Sequence, residues 1–194
     1  MFFGEDFQRG EILIYFATSN KHKFKEAKEI LAKKGISVKH FQFKHNEIRS
    51  DSIEDVALES VETAYKKLKK PVFVEDTGLF VKALDGFPGT YSGWVFGKMG
   101  AEGILKLMNS EKNRNAEFKT CIAFTNGKIV KTFIGTVKGT ISKRMKGKGG
   151  FGYDPVFIPR GERKTFAESI VLKNKLSHRY NSLLKFSKYI NAYQ

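Results

Sequence analysis

Residues 12–17 form an unbroken apolar run, the pattern of a short buried strand, and Thr18, Ser19 and Asn20 end it with residue types that cap helices. Phe24, Ala27, Ile30 and Leu31 then recur at helical spacing until Gly35 supplies a stop. Residues 36–43 read as a second strand. Ser52 with Asp55 resembles a capping box, and it opens a helix whose apolar face is Ile53, Val56, Ala57, Val61, Ala64, Tyr65 and Leu68. Pro71 closes that helix. The run Val72, Val74 and Phe73 between them predicts a core strand, which ends in two adjacent acids, Glu75 and Asp76.

Turn chemistry dominates residues 85–90, and Ile104, Leu105, Leu107 and Met108 mark another helix. Two apolar stretches, 118–124 and 129–137, flank Asn126-Gly127, a strong hairpin signal. A glycine-rich basic loop follows at 143–152, then a short strand at 156–158 and a last helix carrying Tyr180, Leu183, Leu184 and Ile190. Helices and strands alternate early while a hairpin fills the middle, so the expected class is α/β with a mixed sheet. There is no internal repeat and no low-complexity linker. One domain spanning 1–194 is expected, with residues 1–10 as an extension.

Composition narrows this picture. The 194 residues are 41% hydrophobic and 13% aromatic, enough for a proper core. No apolar run approaches the ~18 residues of a membrane span, and early acids argue against a secretory leader, so a soluble cytoplasmic protein is expected. One cysteine, Cys121, within an apolar stretch, excludes an internal disulfide and points to a buried thiol in a reducing compartment. The net charge of +15 implies an anionic partner, which charge alone leaves open among nucleic acid, membrane surface and phosphorylated substrate.

Three stretches carry candidate chemistry. Thr18, Ser19 and Asn20 lie where a strand hands over to a helix N-terminus, and with Lys21 and Lys23 they outline a phosphate site; the same residues also start ordinary helices. Glu75 and Asp76 would repel unless solvent, a lysine or a hard cation such as Mg²⁺ neutralised them, and Glu47, in the loop before the second helix, is a candidate third acid, its neighbours His45, Asn46 and Arg49 being equally consistent with a surface turn. The four histidines, 22, 40, 45 and 178, show no paired spacing for zinc. Residues 147–159 combine glycines, Phe151, Tyr153 and Asp154, so that a ring can stack on a nucleobase while a carboxylate accepts its N–H groups; a loop whose aromatics return to the core reads the same way.

In this order and spacing the stretches TSNKHK, VEDTGL, GFPGTYS, GFGYDPVF and SHR resemble those of the inosine/xanthosine triphosphate pyrophosphatase family, from about residue 12 to residue 190. The resemblance implies an elongated mixed sheet with flanking helices, two lobes around a deep nucleotide-binding cleft, and a homodimer. It implies that Thr18, Asn20 and Lys23 hold the triphosphate, that Glu47 and Asp76 bind Mg²⁺ with Glu75 beside them, and that Asp76 or Glu75 directs the attacking water. Phe151 would stack on the purine beside Tyr153, Asp154 would take its N–H groups, and Lys173, Ser177, His178 and Arg179 would complete the base and phosphate contacts. Donors on the last three would face the 6-carbonyl of hypoxanthine or xanthine and oppose the 6-amino group of adenine.

The implied reaction is hydrolysis of non-standard purine nucleoside triphosphates (ITP, dITP, XTP) to the monophosphate and pyrophosphate. Two other classes remain as alternatives, each lacking its usual motif. An aspartyl phosphatase would show D-x-D-G-T, and residues 74–78 have the order wrong; a specific nucleic-acid binder would show a helix-turn-helix or an RNP-type run.

Overall fold

The computed structural model describes residues 12–45 and 48–192. Its backbone is a seven-stranded mixed sheet: β1 (Ile12–Thr18), β2 (Ile36–Gln42), β3 (Val72–Val81), β4 (Pro88–Gly89), β5 (Asn115–Thr125), β6 (Val130–Ile141) and β7 (Phe157–Pro159). The order across the sheet is β2-β1-β3-β5-β6-β7, with β4 on β3. The first three strands pair in parallel and the remainder antiparallel, as the early strand-helix alternation and the later hairpin require. The helices are α1 (Lys21–Ala32), α2 (Ile53–Leu68), α3 (Ser92–Leu107), α4 (Ile170–Leu176) and α5 (His178–Ala192). None is long and apolar enough to cross a membrane.

Three apolar clusters hold these layers. α1 and α5 pack on one face of the parallel half, burying Phe16, Leu31, Phe73, Ile122 and Phe186. α2 covers the other face with Ala57, Val61 and Ala64 against Val72, Val74 and Cys121. A separate cluster under α3, with Leu79, Ile104, Phe118, Tyr153 and Phe157, forms the second lobe. At full burial each large side chain contributes about 1.5–3 kcal/mol.

Three expectations change. β3 does not stop at Glu75 and Asp76: it runs on to Val81, paired with β5 from Val72↔Thr125 to Val81↔Ala116, so the acids sit mid-strand. Gly78 permits this, because a Cβ there would lie 2.5 Å from the Gly89 carbonyl oxygen as β4 crosses it. α3 starts at Ser92, well before the apolar residues that predicted it, and is kinked at Gly100. α4 was not expected at all: Ile170, Val171 and Leu176 are exposed while its buried residue is Lys173, the reverse of an amphipathic pattern.

Candidate active site

Between the two lobes opens a cleft of about 1080 Å³, lined by residues from β1, α1, β3, α3, the 151–154 loop, α4 and α5. One end is built by the β1–α1 junction. Asn20 caps α1 through Oδ1, which accepts from the N–H groups of His22 and Lys23 at 2.9 and 3.2 Å, and Thr18 Oγ1 accepts from Asn20 N–H. Lys23 reaches across to β3, where Nζ donates to the Glu75 carbonyl at 3.0 Å. A helix N-terminus with its dipole and an ammonium therefore meet at one end of the cleft, an arrangement suited to an anion.

Strand alternation separates the two acids. Glu75 pairs with Ile122 and shares the face of Phe73, towards α5; Asp76 pairs with Cys121 and shares the face of Val74, towards α2. Glu75 is buried, and its oxygens accept from Arg179 Nη2 at 2.7 Å and Nε at 2.8 Å. Burial alone would raise its pKa, but Arg179 and Lys23 outweigh that and bring it from 4.5 down to about 2. A carboxylate so committed is a poor proton acceptor at neutral pH. Glu75 thus serves as counter-ion to Arg179, while Asp76, the other acid expected to direct the water, is half-buried in the cleft wall. Its neighbour Cys121 is buried, its thiol pushed up to about 12 by burial and then by Glu54 and Asp76.

The ion pairing does not end at Glu75. Arg179 Nη1 donates to Glu26 on α1 at 2.7 Å, Glu26 accepts from Lys173 Nζ at 2.7 Å, and Lys173 donates onward to Asp154 at 2.8 Å. Lys23, Arg179 and Lys173 thus alternate with Glu75, Glu26 and Asp154 in one network tying α1, β3, α4, α5 and the loop together. Burial opposes the charge on Arg179, but Glu75 and Glu26 push its pKa further up. Glu26 was missed in the sequence. Its only signal was helical spacing, three residues after Lys23 on the same turn-to-turn stripe.

The other end of the cleft is the 151–154 loop. Asp154 Oδ2 accepts from the Phe151 N–H at 2.8 Å and closes a turn in which Gly150 takes φ of +69°; a Cβ at Gly150 would strike that carboxylate. Burial raises the Asp154 pKa, against the pull of Lys173. Phe151 lines the cleft with Lys173 Nζ 4.1 Å and Arg179 Cζ 5.3 Å from its ring centroid, and His22 stacked at 5.3 Å.

Thr18, Asn20, Lys23, Glu75, Asp76, Phe151, Tyr153, Asp154, Lys173, His178 and Arg179 all line this one cleft. Ser177 is not among its lining residues: it is buried, and its Oγ accepts from Tyr180 N–H at 3.1 Å to cap α5. Tyr153 donates its hydroxyl to the Ser92 carbonyl at 3.1 Å, and burial raises its pKa to about 12. Glu47 lies outside the described residues. Among those described, no three His, Cys, Asp or Glu side chains gather closely enough to hold a metal by themselves.

The Ham1 family profile matches residues 14–189. The chain belongs to the Ham1 family. It is 45% identical over 186 residues to a dITP/XTP pyrophosphatase of Saccharolobus solfataricus, covering 95% of this chain and 97% of that protein. A dITP/XTP pyrophosphatase of Methanopyrus kandleri is 46% identical over 179 residues, 91% of this chain and 95% of the relative. The structure of the Staphylococcus aureus Ham1 protein superposes with a TM-score of 0.81 at 30% identity, over 94% of this chain and 100% of that one. The cleft is therefore built on a Ham1 scaffold, with the ion network at its centre.

Proposed function

We propose that this Ham1-family chain hydrolyses non-standard purine nucleoside triphosphates, ITP, dITP and XTP, to the monophosphate and pyrophosphate, and so cleans the nucleotide pool. The observation that carries the reading is one cleft with an anion-holding helix end at one side and an aromatic ring backed by cations at the other. A nucleoside triphosphate has that polarity, and the curated relatives bear the name of that activity.

In this reading Thr18, Asn20 and Lys23 hold the phosphate chain, and Phe151 stacks on the base while Lys173 and Asp154 fix its loop. Asp76 orients a water, or takes its proton, as the water oxygen adds to phosphorus at the α–β linkage and the bridging P–O bond breaks. Glu75 holds Arg179 and Lys23 in place. Magnesium suits the donor set, because Mg²⁺ binds through one or two carboxylates plus substrate phosphates and water; Asp76 and Glu47 would hold it. When bound, it would offset charge on the phosphate oxygens. The chain works as a single domain, as a cytoplasmic homodimer, with a reducing compartment matching its lone buried thiol; light scattering at about 22 kDa would contradict the dimer.

The test is a nucleotide panel assayed for phosphate with and without added inorganic pyrophosphatase. Phosphate that arises from ITP or XTP only with the coupling enzyme is expected. Free orthophosphate without it would mean γ-phosphate cleavage and overturn the reading.

A further inference from the structure

Between the ion network and the cleft wall, four groups stand in a line. Glu75 Oε1 meets Thr77 Oγ1 at 2.9 Å, Thr77 Oγ1 meets Thr120 Oγ1 at 2.8 Å, and Thr120 Oγ1 meets His178 Nδ1 at 2.6 Å. β3 and β5 set up the middle of the line, because Thr77 and Thr120 are directly paired across the strands. Each hydroxyl has one hydrogen to give.

The donors can therefore be assigned in order. Both Glu75 oxygens already accept from the Arg179 guanidinium, so Glu75 enters the line as an acceptor and Thr77 donates to it. Thr77 then has no hydrogen for Thr120, so Thr120 donates to Thr77. Thr120 in turn has none for the imidazole. His178 must carry its proton on Nδ1 and donate it to Thr120.

We propose that Thr77 and Thr120 are positioning residues that lock His178 in its Nδ1–H tautomer, so that Nε2 presents a lone pair to the cleft and accepts the N1–H of a 6-oxopurine. His178 lines the cleft, Phe118 packs against its ring at a centroid distance of 4.6 Å, and no described residue hydrogen-bonds its Nε2. Burial first, then Arg179, Lys173 and Lys23, hold the imidazole pKa well below its ordinary value, so Nε2 stays unprotonated at neutral pH. The ring of His178 is thus an acceptor, not the donor to a 6-carbonyl that the SHR stretch suggested. Adenine carries no hydrogen on N1, so there acceptor would meet acceptor.

The base contact rests on the proposed nucleotide activity, whereas the tautomer lock does not, and the experiment separates them. Nitrogen-15 NMR of the labelled protein at neutral pH, with the His178 signals assigned by their loss in His178→Gln, reads which ring nitrogen is protonated. Nδ1 is expected; an Nε2–H signature in the wild type overturns the lock. Thr120→Val, which removes the hydroxyl at nearly constant volume, is expected to release the tautomer and to lower the ITP-to-ATP ratio of kcat/KM roughly tenfold or more, while Thr120→Ser restores both. A released tautomer with an unchanged ratio overturns the base contact. If Thr120→Val does not fold, the wild-type spectrum and the Ser variant still decide the lock. A wild type with the lock intact and no turnover of ITP would sink the activity and the base contact together, leaving the lock standing.

Discussion

On the α5 face of β3, Glu75 meets a guanidinium with both oxygens and is sealed from solvent; on the α2 face, one residue later, Asp76 stands in the cleft wall. The same functional group serves two purposes because a strand sends successive side chains to opposite sides. Two adjacent acids in a core strand are thus not a repelling pair sharing one task. Glu75 organises positive charge for the cleft, and Asp76 stands half-buried in the cleft wall on the other face of the strand. The contrast teaches that the sheet face, more than sequence adjacency, assigns the role.

Removing charge from each acid in turn is the sharpest way to break that comparison. Glu75→Gln leaves Arg179 buried beside a neutral amide, and breaking a buried pair in this way costs about 3–5 kcal/mol. Chemical denaturation should show a large loss of stability with activity falling as a consequence. A variant of native stability would mean that Glu26 alone satisfies Arg179.

Acid should reproduce part of the same effect. The folded-state pKa of Glu75 lies below its unfolded value, so its contribution is fully present above about 4.5 and disappears as pH falls through about 2. The shift corresponds to about 3 kcal/mol. Stability measured between those limits should decline with falling pH in the wild type and decline less in Glu75→Gln. Parallel curves would assign the acid sensitivity to other carboxylates.

Asp76→Asn should do the opposite: turnover of ITP falls at least ~10²-fold while stability stays within ~1 kcal/mol. Retained turnover with an intact circular dichroism spectrum would make Asp76 structural and remove the contrast. Phe151→Ala sharpens the picture at the far end of the cleft. Lost stacking of ~1–3 kcal/mol should raise KM about tenfold with a smaller change in kcat. A fall in kcat alone would mean that Phe151 positions Lys173 and Arg179 instead of the base.

Much of this arrangement was legible in the chain. The caps at Asn20 and Ser52, the Asn126-Gly127 hairpin and the apolar faces of α1 and α2 are local signals, and each element formed where its pattern predicted. What stayed hidden was non-local. α4 escaped because the residue it buries is a lysine paired with Glu26 and Asp154. Glu26 escaped because its partners lie 147 and 153 residues away. Thr77 and Thr120 became a pair only through the β3–β5 register. The start of α3 was masked by Gly93, Gly97 and Gly100, which carry no apolar pattern.

Tyr153 offers the smallest and most discriminating test. The family resemblance put it among the substrate contacts, yet its hydroxyl points at the Ser92 carbonyl and its ring meets Phe96 edge-on at 5.3 Å. Tyr153→Phe keeps the ring and the edge contact. The carbonyl it abandons belongs to the first residue of α3 and stays within the helical ladder, so no buried acceptor is orphaned. The loss should be one neutral hydrogen bond, ~1 kcal/mol, seen as a drop of about 2–4 °C in Tm for a chain of this size. Turnover of ITP should stay within about twofold. A tenfold fall in kcat/KM with Tm unmoved would show the hydroxyl leaving Ser92 for the substrate, and would return Tyr153 from the wall of the second lobe to the binding site.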